Sequence, residues 1–404
     1  MKKILFLIIL TLIFSVLLNS VQSEVNILLD PDFHLNISQF IEKHNYPVEN
    51  HFTTTKDGYI ISLQRIPNGK IIKTTKKNTK PVVLLQHGLE DIGTSWVIQE
   101  NDYQSLGFIL ADEGYDVWIS NVRGTRYSNK HVKYTDNDEE YWNFSFDEMS
   151  EFDLPSMIDY IINVTGNVKV NYIGHSQGTA MGFIGFKEGS ELSNKINTFF
   201  ALAPVARITH CKSPILNLLA EMSIGEIINL VGIKAFPMDI SSLRELLLPS
   251  VCSITPFACT TTLELLFGYD NSNLNQTRLP VILSQVPGGT STKNIIHWSQ
   301  NYKNGFQKFD YGSEYENFIH YSQSKPPHYN ITDYSKTIPT IIFTGGNDIL
   351  STREDSNWLI SQLKNLILSK NIINYNHTDF IWGTDAYKKI YNDIVKFLFK
   401  YNKI

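Results

Sequence analysis

Gly174-His175-Ser176-Gln177-Gly178-Thr179 follows the apolar run Val168-Lys169-Val170-Asn171-Tyr172-Ile173 and leads into a helical pattern opening at Thr179. A Gly-x-Ser-x-Gly stretch between a strand and a helix reads as a nucleophile elbow, a sharp turn that exposes the serine hydroxyl at the edge of a sheet. The glycines are a steric demand: side chains two residues either side of the serine would collide with the neighbouring helix and strand. In a chain with 23 glycines the bare pattern is a weak signal, and its place between strand and helix gives it weight.

Working outward, short apolar runs recur at Val82–Leu85, Tyr115–Ile119, Phe199–Ala203 and Ile338–Phe343, separated by helical spacings such as Phe152, Met157, Ile158, Ile161 and Ile162. Strands alternating with helices predict an α/β fold with a mostly parallel central sheet. An antiparallel lead-in is expected over His51–Arg65, turning at Lys56-Asp57-Gly58. From 207 to 335 the alternation stops and leucine and isoleucine cluster without β-spacing, so an inserted helical cap or lid is expected there. The flanking segments 24–206 and 336–404 then form the two parts of one core. The second part holds a helix through Trp358 and Leu363, a strand through Ile372 and Ile373, and a last helix from about Asp385 to Tyr401.

A serine nucleophile needs a base, and the base needs an acid to orient it; in this architecture they follow in the order Ser, Asp or Glu, His. Asp348, in Gly345-Gly346-Asn347-Asp348 directly after a strand, is the expected acid, whereas Asp355 reads as a helix-surface residue. His377 is the sole histidine C-terminal to Asp348 and is the expected base. Asp379 is an alternative orienting group, in an awkward geometry on the same loop as the histidine. Two backbone N–H groups are expected to face a developing oxyanion, one from Gln177 and one from Gln86-His87-Gly88-Leu89, with Leu89 the favoured donor. His87 reads as a structural hydrogen bonder.

Composition agrees with a globular chain: 404 residues, 42% hydrophobic and 19% charged, with a net charge of −5 that offers no global attraction for nucleic acid. Cys211, Cys252 and Cys259 show no zinc spacing, and neither H-E-x-x-H nor a glycine-rich nucleotide-binding motif occurs, so no metal or cofactor is expected. Lys2 and Lys3 followed by the 15-residue run Ile4–Leu18 read as a signal peptide over 1–23. At 1.5 Å per residue the run spans about 22 Å, short of the ~30 Å bilayer core, so no transmembrane anchor is expected in the mature chain. Sequons at Asn36, Asn143, Asn163, Asn275 and Asn330 are expected to carry glycans in a secreted or lysosomal protein. A sixth, Asn376, is expected to stay unused because a glycan there would crowd His377.

With Gln86-His87-Gly88-Leu89, Gly174–Thr179, Gly345–Asp348 and Asn376-His377-Thr378-Asp379-Phe380 in place, the chain resembles the acid lipase family of α/β-hydrolases, which includes gastric and lysosomal acid lipases. Further similar stretches are Gly114–Trp118, Asn121–Gly124, Phe144–Met149, Pro287–Ser291 and His297-Trp298-Ser299-Gln300. The resemblance spans nearly the whole mature chain. It implies an α/β-hydrolase fold with a lid and cap, Ser176, Asp348 and His377 as triad, Leu89 and Gln177 as oxyanion donors, and neutral-lipid ester substrates met at a lipid–water interface. It also implies a short-range cap disulfide, Cys252–Cys259, around a slightly shorter loop than the family's, leaving Cys211 free. A soluble carboxylesterase, thioesterase or acyltransferase would share the same triad. A catalytically inactive secreted binding protein would normally have lost one of its members, and none is lost.

Overall fold

Val82, Leu84, Trp118, Tyr172, Phe199 and Ile342 are buried on one face of a central sheet, and their neighbours Val83, Leu85, Val117, Ile173, Phe200 and Phe343 on the other. Side chains alternate along a strand, so strands apolar on both faces need cover on both, and helices supply it. The computed structural model describes residues 30–71, 80–222, 232–236, 252, 255–269 and 273–402. The expected signal peptide and part of the expected cap lie outside the described residues.

β1 (Glu49–Thr54) and β2 (Tyr59–Ile66) form the antiparallel lead-in. They are followed by β3 (Val82–Gln86), β4 (Asp116–Asn121), β5 (Val170–His175), β6 (Ile196–Leu202), β7 (Thr340–Gly345) and β8 (Leu366–Ile372). The order across the sheet is β1-β2-β4-β3-β5-β6-β7-β8, with the two-residue strand Lys130–His131 beside β2. β2 meets β4 antiparallel, and the pairings from β4 onward are parallel. The parallel register brings the carboxyl ends of β3, β5, β7 and β8 to one edge, where ligands bind in open α/β sheets.

α1 (Ile37–Lys43) and α2 (Leu106–Asp112) cover one face, and α3 (Leu154–Thr165) and α4 (Gln177–Gly185) the other. α3 buries Leu154, Met157, Ile158 and Ile161, and Gly166 in the left-handed conformation ends it. Phe152 and Ile162, expected on the buried stripe, are only half-buried. Phe152 falls within a wide helical turn, Met149–Asp153, which rotates it off that stripe. Within the expected cap lie α5 (Pro214–Glu221), α6 (Pro256–Phe267), α7 (Leu279–Gln285), α8 (Thr292–Asn304) and α9 (Glu314–Tyr321). A two-residue antiparallel ladder, Ala235–Phe236 with Thr290–Ser291, interrupts this helical stretch. α10 (Arg353–Gln362) and α11 (Asn392–Asn402) complete the second core segment.

Several element boundaries differ from those expected. β5 starts at Val170 and leaves Val168 exposed, β8 ends at Ile372 with Ile373 exposed, and α11 is preceded by a wide turn, Tyr387–Tyr391, where a continuous helix from Asp385 was expected. Cys252 and Cys259 are disulfide-bonded with Cα atoms 5.5 Å apart, and Cys211 is a buried free thiol.

Candidate active site

β5 runs two residues further than its apolar pattern suggested, to His175, and α4 begins at Gln177 where Thr179 was expected, so Ser176 alone makes the corner. Its backbone is held at φ 51°, ψ −121°, a conformation that disfavours any residue with a β-carbon. The flanking glycines show why the corner can close. A β-carbon on Gly174 would lie 2.8 Å from the carbonyl of Gly178, and one on Gly178 would lie 2.7 Å from the carbonyl oxygen of Gln86 on β3. The expected collision of side chains with helix and strand is therefore literal.

At the same edge, His377 Nε2 lies 2.7 Å from Ser176 Oγ, and His377 Nδ1 lies 2.8 Å from Asp348 Oδ2. Asp348 follows β7, and its other oxygen accepts the backbone N–H groups of Leu350 (2.9 Å) and Ser351 (2.8 Å), which fixes the carboxylate plane. Both Asp348 and His377 are buried. The structure thus brings together the three residues expected from chain order, strand ends and the uniqueness of one histidine.

The competing acids lie elsewhere. Asp379 accepts the N–H of Asn376 at 2.6 Å and the amide of Asn273 at 3.0 Å, so it shapes the histidine loop and does not face the ring. Asp355, expected on a helix surface, is only 3% exposed and binds Arg207 Nε at 2.7 Å and His210 Nδ1 at 2.8 Å. It occupies the first turn of α10 and holds the chain that leaves β6, a role that helical periodicity does not reveal.

Gln177 directly follows the serine, and Leu89 directly follows Gly88 on the loop after β3. Gln177 opens α4, where the first N–H groups have no intrahelical acceptor, and the Leu89 N–H likewise donates to no protein acceptor among the described residues. Gly88 brings the Leu89 loop close, since a β-carbon there would sit 2.9 Å from Ser176 Cβ. Beneath the loop, His87 is buried, lies 2.8 Å from the Gly88 carbonyl oxygen through Nδ1, and accepts the Val122 N–H at Nε2. Burial pushes its ring down to about 4, so it is neutral across the ordinary range and acts as a hydrogen-bonding strut.

Sequence reading gave no role to two further contacts. His175, pushed down to about 3 by burial, donates from Nε2 to the carbonyl oxygen of His377 at 2.9 Å and so ties the elbow to the histidine loop. Phe267, at the end of α6, lies parallel to the His377 ring at 6.3 Å, and its carbonyl oxygen accepts the His377 N–H. Neither residue stands out by periodicity; each acts through tertiary contact. A cavity of about 480 Å³ lined by Trp142, Lys234, Lys293, Phe309 and Tyr311 includes none of the three residues Ser176, Asp348 and His377. No metal-binding cluster occurs among the described residues.

A carbonyl placed between Ser176 Oγ and the two free N–H groups would meet a nucleophile, its base and an oxyanion site at once, the arrangement used for acyl transfer. The chain matches family models described as a partial alpha/beta-hydrolase lipase region over residues 37–100 and as the alpha/beta hydrolase fold over 81–384. It is 43% identical to lipase member M of Homo sapiens, covering 91% of this chain and 86% of that protein. It is 43% identical to gastric triacylglycerol lipase of Bos taurus over 91% and 92%, and 42% identical to lysosomal acid lipase/cholesteryl ester hydrolase of Homo sapiens over 92% and 93%. Among solved structures it resembles a soluble variant of monoglyceride lipase from Saccharomyces cerevisiae (TM-score 0.52, 14% identity, 91% and 98% coverage). It also resembles an epoxide hydrolase from Vigna radiata (TM-score 0.51, 15% identity, 87% and 98% coverage). At such identities the structural likeness speaks for the fold alone, which serves ester and epoxide chemistry alike.

Proposed function

This chain belongs to the acid lipase family of α/β-hydrolases and is a lipid ester hydrolase, and on that premise we propose that Ser176, His377 and Asp348 cleave neutral-lipid esters through an acyl-enzyme. The observation that carries the assignment of roles is the unbroken hydrogen-bonded line from Asp348 through His377 to Ser176 Oγ, at 2.8 and 2.7 Å.

Ser176 Oγ attacks the ester carbonyl carbon while His377 Nε2 takes its proton. The carbonyl oxygen gains the negative charge and receives the N–H groups of Leu89 and Gln177. Asp348 holds Nδ1–H, keeps the reactive tautomer and stabilises the imidazolium without taking the proton. As the tetrahedral centre collapses, the bond to the alcohol oxygen breaks and His377 gives that oxygen its proton. Water, deprotonated by His377, then attacks the acyl carbon; as that centre collapses the bond to Ser176 Oγ breaks, His377 returns the proton to Oγ, and the fatty acid leaves.

The apolar surface of the cap supports action at an interface. Phe257 on α6 is 83% exposed, and Leu216, Leu218 and Leu265 on α5 and α6 are 38–44% exposed. No described helix is long and apolar enough to cross a membrane. The site lies in a secretory-pathway protein, secreted or lysosomal. Asn36, Asn143, Asn163 and Asn330 are exposed and Asn275 half-buried, as glycan acceptors require. Asn376 is 5% exposed with its amide bonded to Gly268, which leaves no room for one.

The test is fatty-acid release from emulsified triolein and cholesteryl oleate by the purified protein and its Ser176→Ala variant, scanned from pH 4 to 8. Release by the wild type and none by the variant is expected. Cleavage of short soluble esters alone would replace the lipase reading with that of a soluble esterase.

A further inference from the structure

Gln177 is proposed above to offer its backbone N–H to the oxyanion, and its side-chain oxygen is also held. It is buried, and its Oε1 accepts two hydrogen bonds from α8: Trp298 Nε1 at 2.7 Å and Asn294 Nδ2 at 3.0 Å. Its Nε2 lies 3.4 Å from Met149 Sδ. Both α8 donors are buried, and Asn294 is itself fixed by accepting the Phe146 N–H at 2.9 Å and donating to Thr290 Oγ1 at 3.0 Å.

The chain just before α8 reaches the other half of the hole. Gly288 N–H donates to the Glu90 carbonyl oxygen at 2.7 Å, and Gly289 N–H to Glu90 Oε2 at 3.3 Å. Glu90 directly follows Leu89 and sits at φ 59°. One short segment, 288–298, therefore grips a residue at or beside each proposed oxyanion donor, although the donors lie 88 positions apart in the chain.

We propose that Trp298 and Asn294 are positioning residues of the oxyanion hole, acting through the Gln177 side chain, with the Gly288–Gly289 turn bracing the Leu89 side. This rests on the reading of Leu89 and Gln177 as oxyanion donors. The physical reason is that oxyanion donors must be aimed before reaction, and a misplacement of about 1 Å removes much of their effect. The first residue of a helix is poorly restrained by the helix itself. Two buried donors on Oε1 lock the Gln177 side chain and with it the direction of its N–H. Segment 288–298 thus behaves as part of the catalytic frame although it lies within the inserted region.

The test uses Trp298→Phe, which keeps the ring and removes the N–H, and Gln177→Met, which keeps the backbone N–H and removes the acceptor, singly and together. kcat and KM are measured on p-nitrophenyl butyrate, a soluble ester that avoids interfacial adsorption, beside Ser176→Ala. Each single variant is expected to lower kcat about tenfold with KM within twofold. The double variant should fall no further than Gln177→Met alone, because that change already removes the acceptor that Trp298 Nε1 serves. A Trp298→Phe protein with wild-type kcat overturns the proposal, and so do losses that multiply in the double variant. If Trp298→Phe does not fold, Gln177→Met decides alone: unchanged kcat overturns the proposal, and reduced kcat at constant KM upholds it. Activity surviving in Ser176→Ala would instead remove the triad reading on which the proposal stands, so the two failures are distinguishable.

Discussion

Ser176 is held at φ 51° by its surroundings, a conformation costing about 1–3 kcal/mol for a residue with a β-carbon. That strain is sustained by the Gly174–Gly178 contact, by the Ser176 N–H bond to Leu202 and by the burial of the elbow between β3 and β6. At this scale two substitutions are diagnostic. Asp348→Asn keeps the shape but loses the carboxylate that orients His377; kcat is expected to fall by about a thousandfold or more with little change in KM, measured on a soluble ester. Gly88→Ala would press a β-carbon against Ser176 Cβ, 2.9 Å away, and push the Leu89 N–H out of place. About a tenfold or larger loss of kcat is expected there, together with a lowered melting temperature from the clash. Ser176 and Asp348 could be expected from the sequence because each closely follows an apolar strand, and His377 because it is the sole histidine after Asp348 in a fixed chain order. Asp355 was misread because its partners, Arg207 and His210, lie about 145 residues away, and no local pattern records such a pairing. Trp298 and Asn294 were invisible as positioning groups for the same reason.

Among the elements, the central strands were the easiest to read, since burial on both faces makes them continuous apolar runs. β8 lies at the sheet edge with alternating half-buried and exposed residues, so its end was misplaced by one residue. α4 begins two residues earlier than its pattern suggested, because polar Gln177 is buried for its hydrogen bonds and not for apolarity. The described helices within residues 207–335 differ in anchorage. The end of α6 is pinned beside the site: Phe267 carbonyl oxygen accepts the His377 N–H, and Gly268 carbonyl oxygen accepts the Asn376 amide. α5 and the start of α6 instead present Leu216 and Phe257 to solvent. Leu216→Asp with Phe257→Asp is expected to reduce hydrolysis of emulsified triolein several-fold while leaving kcat/KM on p-nitrophenyl butyrate within twofold of the wild type. Equal losses on both substrates would mean that this face shapes the acyl site and does not adsorb to lipid.

For the whole molecule, buried ionisable groups set a pH window for stability. Burial pushes Glu90 up to about 8 and Asp91 up to about 7, and Glu90 Oε1 and Asp91 Oδ2 are buried without hydrogen bonds. The partners that oppose this are weak: Gly289 N–H faces Glu90, while Ser95, Ile92 and the more distant Arg126 face Asp91. From about pH 4.5 upward the folded chain keeps protons that the unfolded chain has released, so stability falls as pH rises toward 8. His87 and His175, pushed down by burial to about 4 and about 3, act in the opposite sense. Below about pH 6.5 the unfolded chain binds protons that the folded chain refuses, so stability falls as pH drops. Asp57, whose burial is outweighed by the Arg123 guanidinium, ends below its ordinary value and adds to the acid-side loss. The two trends offset one another between about pH 4.5 and 6.5. The melting temperature is expected to be flattest there and to fall above pH 7, and Glu90→Gln with Asp91→Asn should remove that alkaline fall. A melting temperature that keeps rising to pH 8 would contradict this balance.

The central claim is that one serine, activated by His377 and Asp348, performs the chemistry. Its most direct test is to inactivate the folded protein with a p-nitrophenyl alkylphosphonate and locate the adduct by peptide mass spectrometry. One phosphonyl group per chain is expected, on Ser176, accumulating in step with the loss of ester hydrolysis and absent from Asp348→Asn on the same timescale. An adduct on another residue, or full activity in protein whose Ser176 is completely labelled, would contradict it.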